Sequence, residues 1–291
     1  MTSRFELEDS HKRYDEWLHS QRKNELLPKE RLIPLLEVPV PNEPPALMQS
    51  KMHINEDQKK DLLARVQALI PWGGYVIQLA DGVLTGSGLN SEHTIYRAHL
   101  ICNAVKQLAG KSFADYSVLD MACNHGYIGL QCAFDGAKET LGCDLRKANI
   151  KKAQLLKEHF EIENASFKCE DVYQLDTQFD VVLNLGLLYH VTDPYLLIAK
   201  TYDTCRQFAV VDTITHLAPV SAFIQRTNKN NQHHAEGRYN VEYQPTYHAL
   251  LDLMHAVGFK DLVEVVPAPS TPAATHPLYD AYQRRCIIGF K

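Results

Sequence analysis

From residue 112 to the C-terminus, short apolar runs alternate with stretches of helical period, and this alternation limits the fold more than any other feature of the chain. The runs are "SVLDMAC", "ETLGCDL", "ASFKCED", "FDVVLNLG", "FAVVDTI", "LVEVV" and "RCIIGF", and the helical stretches lie near 127–134, 147–160, 194–205 and 246–257. Strands buried on both faces read as near-continuous apolar runs, and a helix between consecutive strands makes their pairing parallel. The pattern predicts an α/β fold: a Rossmann-like, doubly wound, seven-stranded and mostly parallel sheet, with its ligand at the carboxyl ends of the strands. The last two runs follow one helix and are joined by a loop with no helix between them, so the final strand is expected to be antiparallel.

The preceding third is built differently. Residues 8–26 place Tyr14, Trp17 and Leu18 at helical spacing among charges. Prolines at 28, 34, 39, 41, 44 and 45 then stiffen an extended connector, because proline fixes φ and cannot continue a helix. Asn55 caps a helix with the stripe Leu62, Leu63, Val66, Leu69 and Ile70, which Pro71 ends. "YVIQLADGVLTGSG" reads as a strand pair around Asp81-Gly82, and Ser91 caps a helix running to residue 109. The expected organisation is an arm over 1–50, a helical cap and substrate segment over 51–110, and a ligand-binding domain over 111–291. The first 110 residues should cap the cleft or complete an acceptor pocket, and could supply a homodimer contact.

Composition excludes some function classes. No stretch approaches the roughly 18–20 apolar residues of a membrane span, and the charged N-terminus lacks the apolar run of a secretory signal, which predicts a cytoplasmic protein without membrane contact. The seven cysteines are odd in number and never in a CxxC pair, as expected of buried thiols. A net charge of −5 gives no general attraction for nucleic acid.

In "VLDMACNHGYIGL" the first strand of the domain reaches Asp120, and the turn Ala122, Cys123, Asn124, His125 carries one glycine, Gly126, before a helix. That turn is too poor in glycine to wrap a pyrophosphate. It resembles the turn of class I S-adenosylmethionine-dependent methyltransferases, in which an acidic residue ends the strand before a G-x-G-x-G-like loop. Ala122 and Asn124 stand where glycines are usual, and both tolerate the turn better than larger residues would. The resemblance implies S-adenosyl-L-methionine as cofactor. Asp144, at the end of the next strand and about 20 residues on, would accept the ribose hydroxyls, with Leu145 beside it. Asp171 would meet the adenine amino group and Val172 the ring, while Asn184 and Gly186 would line the methionine end. Any one of these aspartates reads equally well as a turn cap; their placement at successive strand ends makes one crevice.

Two further stretches, "LIPWGGYVIQLADG" and "NLGLLYHVTDPYLLI", resemble the tRNA wobble-uridine carboxymethyltransferase family, as does "YNVEYQPTYHALLDLMHAVGF". The likeness spans about residues 60–266 and its most specific element is Leu-Tyr-His. It implies transfer of a carboxymethyl group from a carboxylated S-adenosylmethionine to uridine, the extra carboxylate being held by a lysine after Pro-Trp-Arg and by the tyrosine of Leu-Tyr-His. Tyr189 matches that tyrosine, but Gly73 and Gly74 occupy the Arg-Lys positions. A buried carboxylate without its cation is costly, which points to ordinary S-adenosylmethionine as donor.

Transfer to a hydroxyl requires alignment and a proton acceptor. His190 and Tyr189, after the fourth strand, and His233 and His234 are the candidate catalytic residues; His190 reads equally as helix-edge packing. His125 is expected to contact the cofactor or brace the turn. The polar segment 215–246 reads as an irregular lid over the acceptor, with Tyr75, His216, Arg226, Arg238, Tyr239 and Tyr243 as candidate substrate contacts. No metal site is expected: His-His neighbours diverge, and Asp212 finds only Asn184 as a weak partner. Lys147, Lys151, Lys152 and Lys157 read as the solvated face of one helix rather than an RNA track. The chain is therefore expected to methylate a small molecule, most simply on oxygen. Modification of tRNA is the alternative within enzymes, and an inactive interaction module the alternative outside them.

Overall fold

The computed structural model describes residues 32–50, 52–86, 92–227, 241–269 and 276–291. The expected helix over 8–26, the cap Ser91, and His233, His234, Arg238 and Tyr239 lie outside them. In chain order the elements are β1 (Leu35–Val38), α1 (Glu56–Gln67), β2 (Gln78–Ala80), β3 (Val83–Leu84), α2 (Glu92–Ala109), β4 (Ser117–Met121), α3 (Tyr127–Phe134), β5 (Glu139–Cys143), α4 (Lys147–His159), β6 (Ala165–Lys168), β7 (Phe179–Leu185), α5 (Pro194–Thr204), β8 (Cys205–Ile214), β9 (Phe223–Thr227), β10 (Val241–Pro245), α6 (Tyr247–Val257), β11 (Asp261–Pro267), α7 (Pro277–Asp280) and β12 (Arg284–Phe290).

The seven expected strands form one sheet with an eighth, in the order β1-β11-β12-β8-β7-β4-β5-β6. Pairing is parallel from β6 through β8, and β12 runs antiparallel to both β8 and β11. The strand order reverses between β4 and β7, so their carboxyl ends frame the crevice in which doubly wound sheets bind ligands. Alternate residues of β4 serve the two layers: Val118 joins the core of α2 and α3, whereas Leu119 and Met121 join that of α5 and α6.

Local signals set most boundaries. Asn55 and Gln58 form a reciprocal capping box at the start of α1, each bond 2.9 Å. Asp193 caps α5 ahead of Pro194, Thr246 caps α6, and β2 and β3 pair around Asp81-Gly82.

Four features differ from expectation. Leu35–Val38 adds to the sheet as a parallel edge beside β11, and α2 fastens the residues around it. His99 Nε2 lies 2.7 Å from the Glu43 carbonyl, Asn103 Nδ2 donates to Pro39 O at 2.7 Å, and Gln107 Nε2 donates to Glu37 O at 3.2 Å. These three residues sit four apart, on one helix face. Part of the segment expected to be irregular pairs as the antiparallel hairpin β9–β10. The connection from β11 to β12 holds a helical turn, α7, which Pro277 starts and His276 caps. Lys152 is buried rather than solvated: its ammonium donates to Pro71 O at 2.5 Å and faces the Trp72 ring. Six cysteines are buried free thiols and Cys169 is exposed. No described helix is long and apolar enough to cross a membrane.

Candidate active site

The turn after β4 places Ala122, Asn124 and Gly126 in the left-handed region, with φ of 52°, 54° and 77°. Only the last position demands glycine, because a Cβ there would fall 2.5 Å from the Phe167 ring and 2.9 Å from Ala153 Cβ. The turn therefore keeps its shape with two of its three special positions filled by small or αL-tolerant residues. Cys123 is buried in it, its N–H donating to Cys143 O at 2.8 Å. Beneath the turn, Asp120 is buried and accepts the Gly129 N–H at 3.2 Å. Burial raises its pKa to about 7, opposed by that hydrogen bond and by Arg97.

Asp144 ends β5 and is buried, with Leu145 exposed beside it. Its carboxylate accepts from the backbone N–H groups of Asn124 and Arg146, from Asn149 Nδ2, and from the Arg146 guanidinium. Asp171 caps a short turn by accepting the Tyr173 N–H at 3.1 Å, and Val172 is buried next to it. Asn184, fully buried at the end of β7, donates to Thr201 Oγ1 at 3.0 Å, while its Oδ1 has no partner among the described residues. His125 is buried, 6.1 Å from the rings of Trp72 and of Tyr75, and neither ring nitrogen has a hydrogen-bond partner among the described residues. Burial, with Lys152 nearby, lowers its pKa to about 4 and keeps it neutral.

Sequence reasoning missed a buried cluster at the end of β8. Asp212 accepts from Arg97 at 2.7 Å and 2.9 Å, from Arg284 at 2.5 Å, and from the Tyr279 hydroxyl. The two guanidinium groups hold the Asp212 carboxyl well below the usual range despite its burial. Arg97 Nη1 also donates to Tyr75 Oη at 3.2 Å, and the Tyr75 ring stacks on Tyr127 at 4.5 Å. Two guanidinium groups facing one carboxylate leave one positive charge uncompensated. That charge is aimed at Gly186, where a Cβ would lie 3.1 Å from Arg284 Nη2, 3.4 Å from Tyr189 Oη and 3.6 Å from Arg97 Nη2. Gly73 and Gly74 carry no cation, and the guanidinium groups near Gly186 come from α2 and β12. A side chain at Gly74 would meet His125, whose Cε1 is 3.1 Å from the Cβ position. In the sequence, only an aspartate inside an apolar strand hinted at the cluster.

On the acceptor side, Tyr189 and His190 close the turn after β7 with ring centroids 4.2 Å apart. His190 Nδ1 is buried without a partner among the described residues, and burial, with Arg146 and Arg284, lowers its pKa to about 4. β10 packs over this turn. On the hairpin, Tyr243 is half-buried opposite Gln225, and exposed Arg226 faces Glu242. His216 is buried at its base, bridging to Thr246 and accepting the Ala218 N–H at 3.1 Å, so it braces the hairpin. Asp212, saturated by arginine and tyrosine donors, is not disposed as a metal ligand.

These residues fit an amino-acid-bearing nucleoside: an acidic residue at a strand end for a ribose, a left-handed turn for close approach, and a buried surplus cation for one carboxylate.

A methyltransferase-domain family matches residues 112–253. The ubiquinone biosynthesis O-methyltransferase of Ruegeria pomeroyi is 33% identical over 95 residues, which cover 32% of this chain and 38% of that protein. The tRNA U34 carboxymethyltransferase of Helicobacter pylori (strain Shi470) is 24% identical over 227 residues, covering 75% of this chain and 80% of that protein. Among solved structures, the N-terminal domain of EvdMO1 with SAH bound superposes with a TM-score of 0.60 at 18% identity, covering 82% of this chain and 98% of that one. That likeness concerns the fold.

Proposed function

Residues 112–253 of this chain belong to the class I S-adenosylmethionine-dependent methyltransferases, and on that premise we propose that the protein transfers a methyl group to an oxygen of a small-molecule acceptor. The observation that carries this reading is His190. Among the described residues its Nδ1 has no partner, and it stands beside Tyr189 at the end of β7.

S-adenosylmethionine supplies an electrophilic methyl on a sulfonium; the chain's residues supply position and a proton acceptor. Asp144 would receive the ribose hydroxyls, Asp171 and Val172 the adenine, and the Arg97–Arg284 pair the amino-acid carboxylate. Tyr75 and Tyr189 flank the acceptor, whose hydroxyl proton passes to His190. β10 packs over this turn and would shield the acceptor from water. Burial of Lys152 supports a small acceptor, since it removes one of the four lysines from the basic face of α4.

Transfer of labelled methyl from S-adenosylmethionine into small hydroxylated compounds, read beside unmodified tRNA, tests the proposal. Label is expected in the small-molecule fraction, with kcat for His190→Gln down about 100-fold. Label in tRNA alone would overturn it.

A second reading rests on Tyr189 Oη, Arg97 Nη2 and Arg284 Nη2 around Gly186. Three donors and a surplus charge also suit a donor carrying an additional carboxylate, as the name of the Helicobacter pylori relative would suggest. Carboxymethyl rather than methyl transfer would then be the activity.

A further inference from the structure

We propose that His125 is a positioning residue: its buried ring seats a strap, Pro71–Tyr75, and through Tyr75 that seat fixes the angle at which Arg97 meets the amino-acid end of the cofactor. The proposal rests on the reading of this crevice as an S-adenosylmethionine site and extends it to a residue that acts through its neighbours.

The strap contains neither helix nor strand and is fastened at both ends. At its start, Pro71 O accepts from Lys152 Nζ of α4 at 2.5 Å, and Trp72 Nε1 donates to Val66 O of α1 at 2.9 Å. At its end, the Tyr75 ring stacks on Tyr127 of α3 at 4.5 Å, and its hydroxyl accepts from Arg97 Nη1 at 3.2 Å.

Between these ends lies the His125 ring, 6.1 Å from the rings of both Trp72 and Tyr75. Gly74 bends over it with φ of 79°, and a Cβ there would fall 3.1 Å from Cε1. A Cβ at Gly73 would meet nothing within 4 Å, so the close fit is confined to Gly74. Neither ring nitrogen has a hydrogen-bond partner among the described residues, and burial, with Lys152, lowers the ring's pKa to about 4. The ring therefore acts by its shape, as an uncharged body against which the strap packs.

Arg97 gives this contact its consequence. Its Nε and Nη2 both reach the same oxygen of Asp212, at 2.9 Å and 2.7 Å. Two bonds to a single oxygen let a guanidinium rock about that atom, unlike a fork across both oxygens. Tyr75 Oη is the third point that fixes it, with Nη2 turned 3.6 Å from the Cβ position of Gly186.

Calorimetry on wild type, His125→Ala, His125→Leu, Gly74→Ala and Gly73→Ala would compare S-adenosylhomocysteine with methylthioadenosine, which lacks the amino-acid end. Thermal melting would verify folding. His125→Ala and Gly74→Ala are expected to weaken S-adenosylhomocysteine about three- to tenfold and methylthioadenosine by no more than about twofold. His125→Leu, close in volume, and Gly73→Ala should match wild type. In a Trp17→Phe background the remaining tryptophan, Trp72, should be more open to acrylamide quenching in His125→Ala than in His125→Leu. Equal losses for the two ligands would mean that the turn itself is disturbed, and equal losses in His125→Leu and His125→Ala that the imidazole nitrogens bind the ligand. Either result overturns the seat, as does unchanged binding or unchanged quenching in His125→Ala. Failure of wild type to bind S-adenosylhomocysteine would instead remove the cofactor reading and the seat's role with it.

Discussion

Asp120 and Asp212 are both buried aspartates, yet their surroundings push them in opposite directions. Burial lifts Asp120 from its ordinary 3.8 to about 7. Between those values the folded chain holds a proton that the unfolded chain has released. Its contribution to stability is thus complete below about pH 4 and is lost as pH rises toward 7. Asp212, held down by Arg284 and Arg97, has the reverse sign: it stabilises above about pH 4, and the gain disappears on acidification. Asp120→Asn should therefore be more stable than wild type at pH 8 and should lose the decline between pH 4 and 7, read as urea midpoints across pH. A variant less stable at pH 8 would mean that Asp120 is ionised and paired. The Asp212 cluster was illegible in the sequence because its partners Arg97 and Arg284 lie 115 and 72 positions away. The positions of Asp144 and Asp171 just after β5 and β6 could be read in the sequence because strand ends are marked locally.

At the scale of elements, α2 joins two parts of the molecule. It carries Arg97 to Asp212, while His99, Asn103 and Gln107 hold the backbone around β1. Asn103→Ala should lower stability by about 1 kcal/mol, measured by thermal or urea unfolding. No change would mean that the segment around β1 lies on α2 without anchoring it. The helix over Glu56–Gln67 was legible because its apolar stripe and the Asn55 cap act within a few residues. β1 was not: only Val38 of its four residues is buried, and its flanking prolines argue against a strand unless it lies at a sheet edge. β9 and β10 pair only with each other, so neither carries the continuous apolar run that revealed the central strands.

Over the whole molecule, chain from both sides of the domain converges on one crevice. Residues 71–75 lie against the cofactor turn through His125, Lys152 ties Pro71 to α4, and β10 covers the turn holding His190. The alternation of runs and helices foretold the sheet and its antiparallel last strand because that topology follows from short-range pattern. It could not foretell which distant cations would meet at Gly186.

The proposed transfer depends on this crevice binding S-adenosylmethionine through Asp144. Titration calorimetry with S-adenosylhomocysteine on wild type and Asp144→Ala, beside carboxylated S-adenosylmethionine on wild type, tests it most directly. Micromolar binding by wild type, a loss of more than about tenfold in Asp144→Ala, and no preference for the carboxylated form are expected. Absence of binding, or affinity unaffected by Asp144→Ala, would contradict it. A clear preference for the carboxylated ligand would retain the crevice but replace methyl transfer with carboxymethyl transfer.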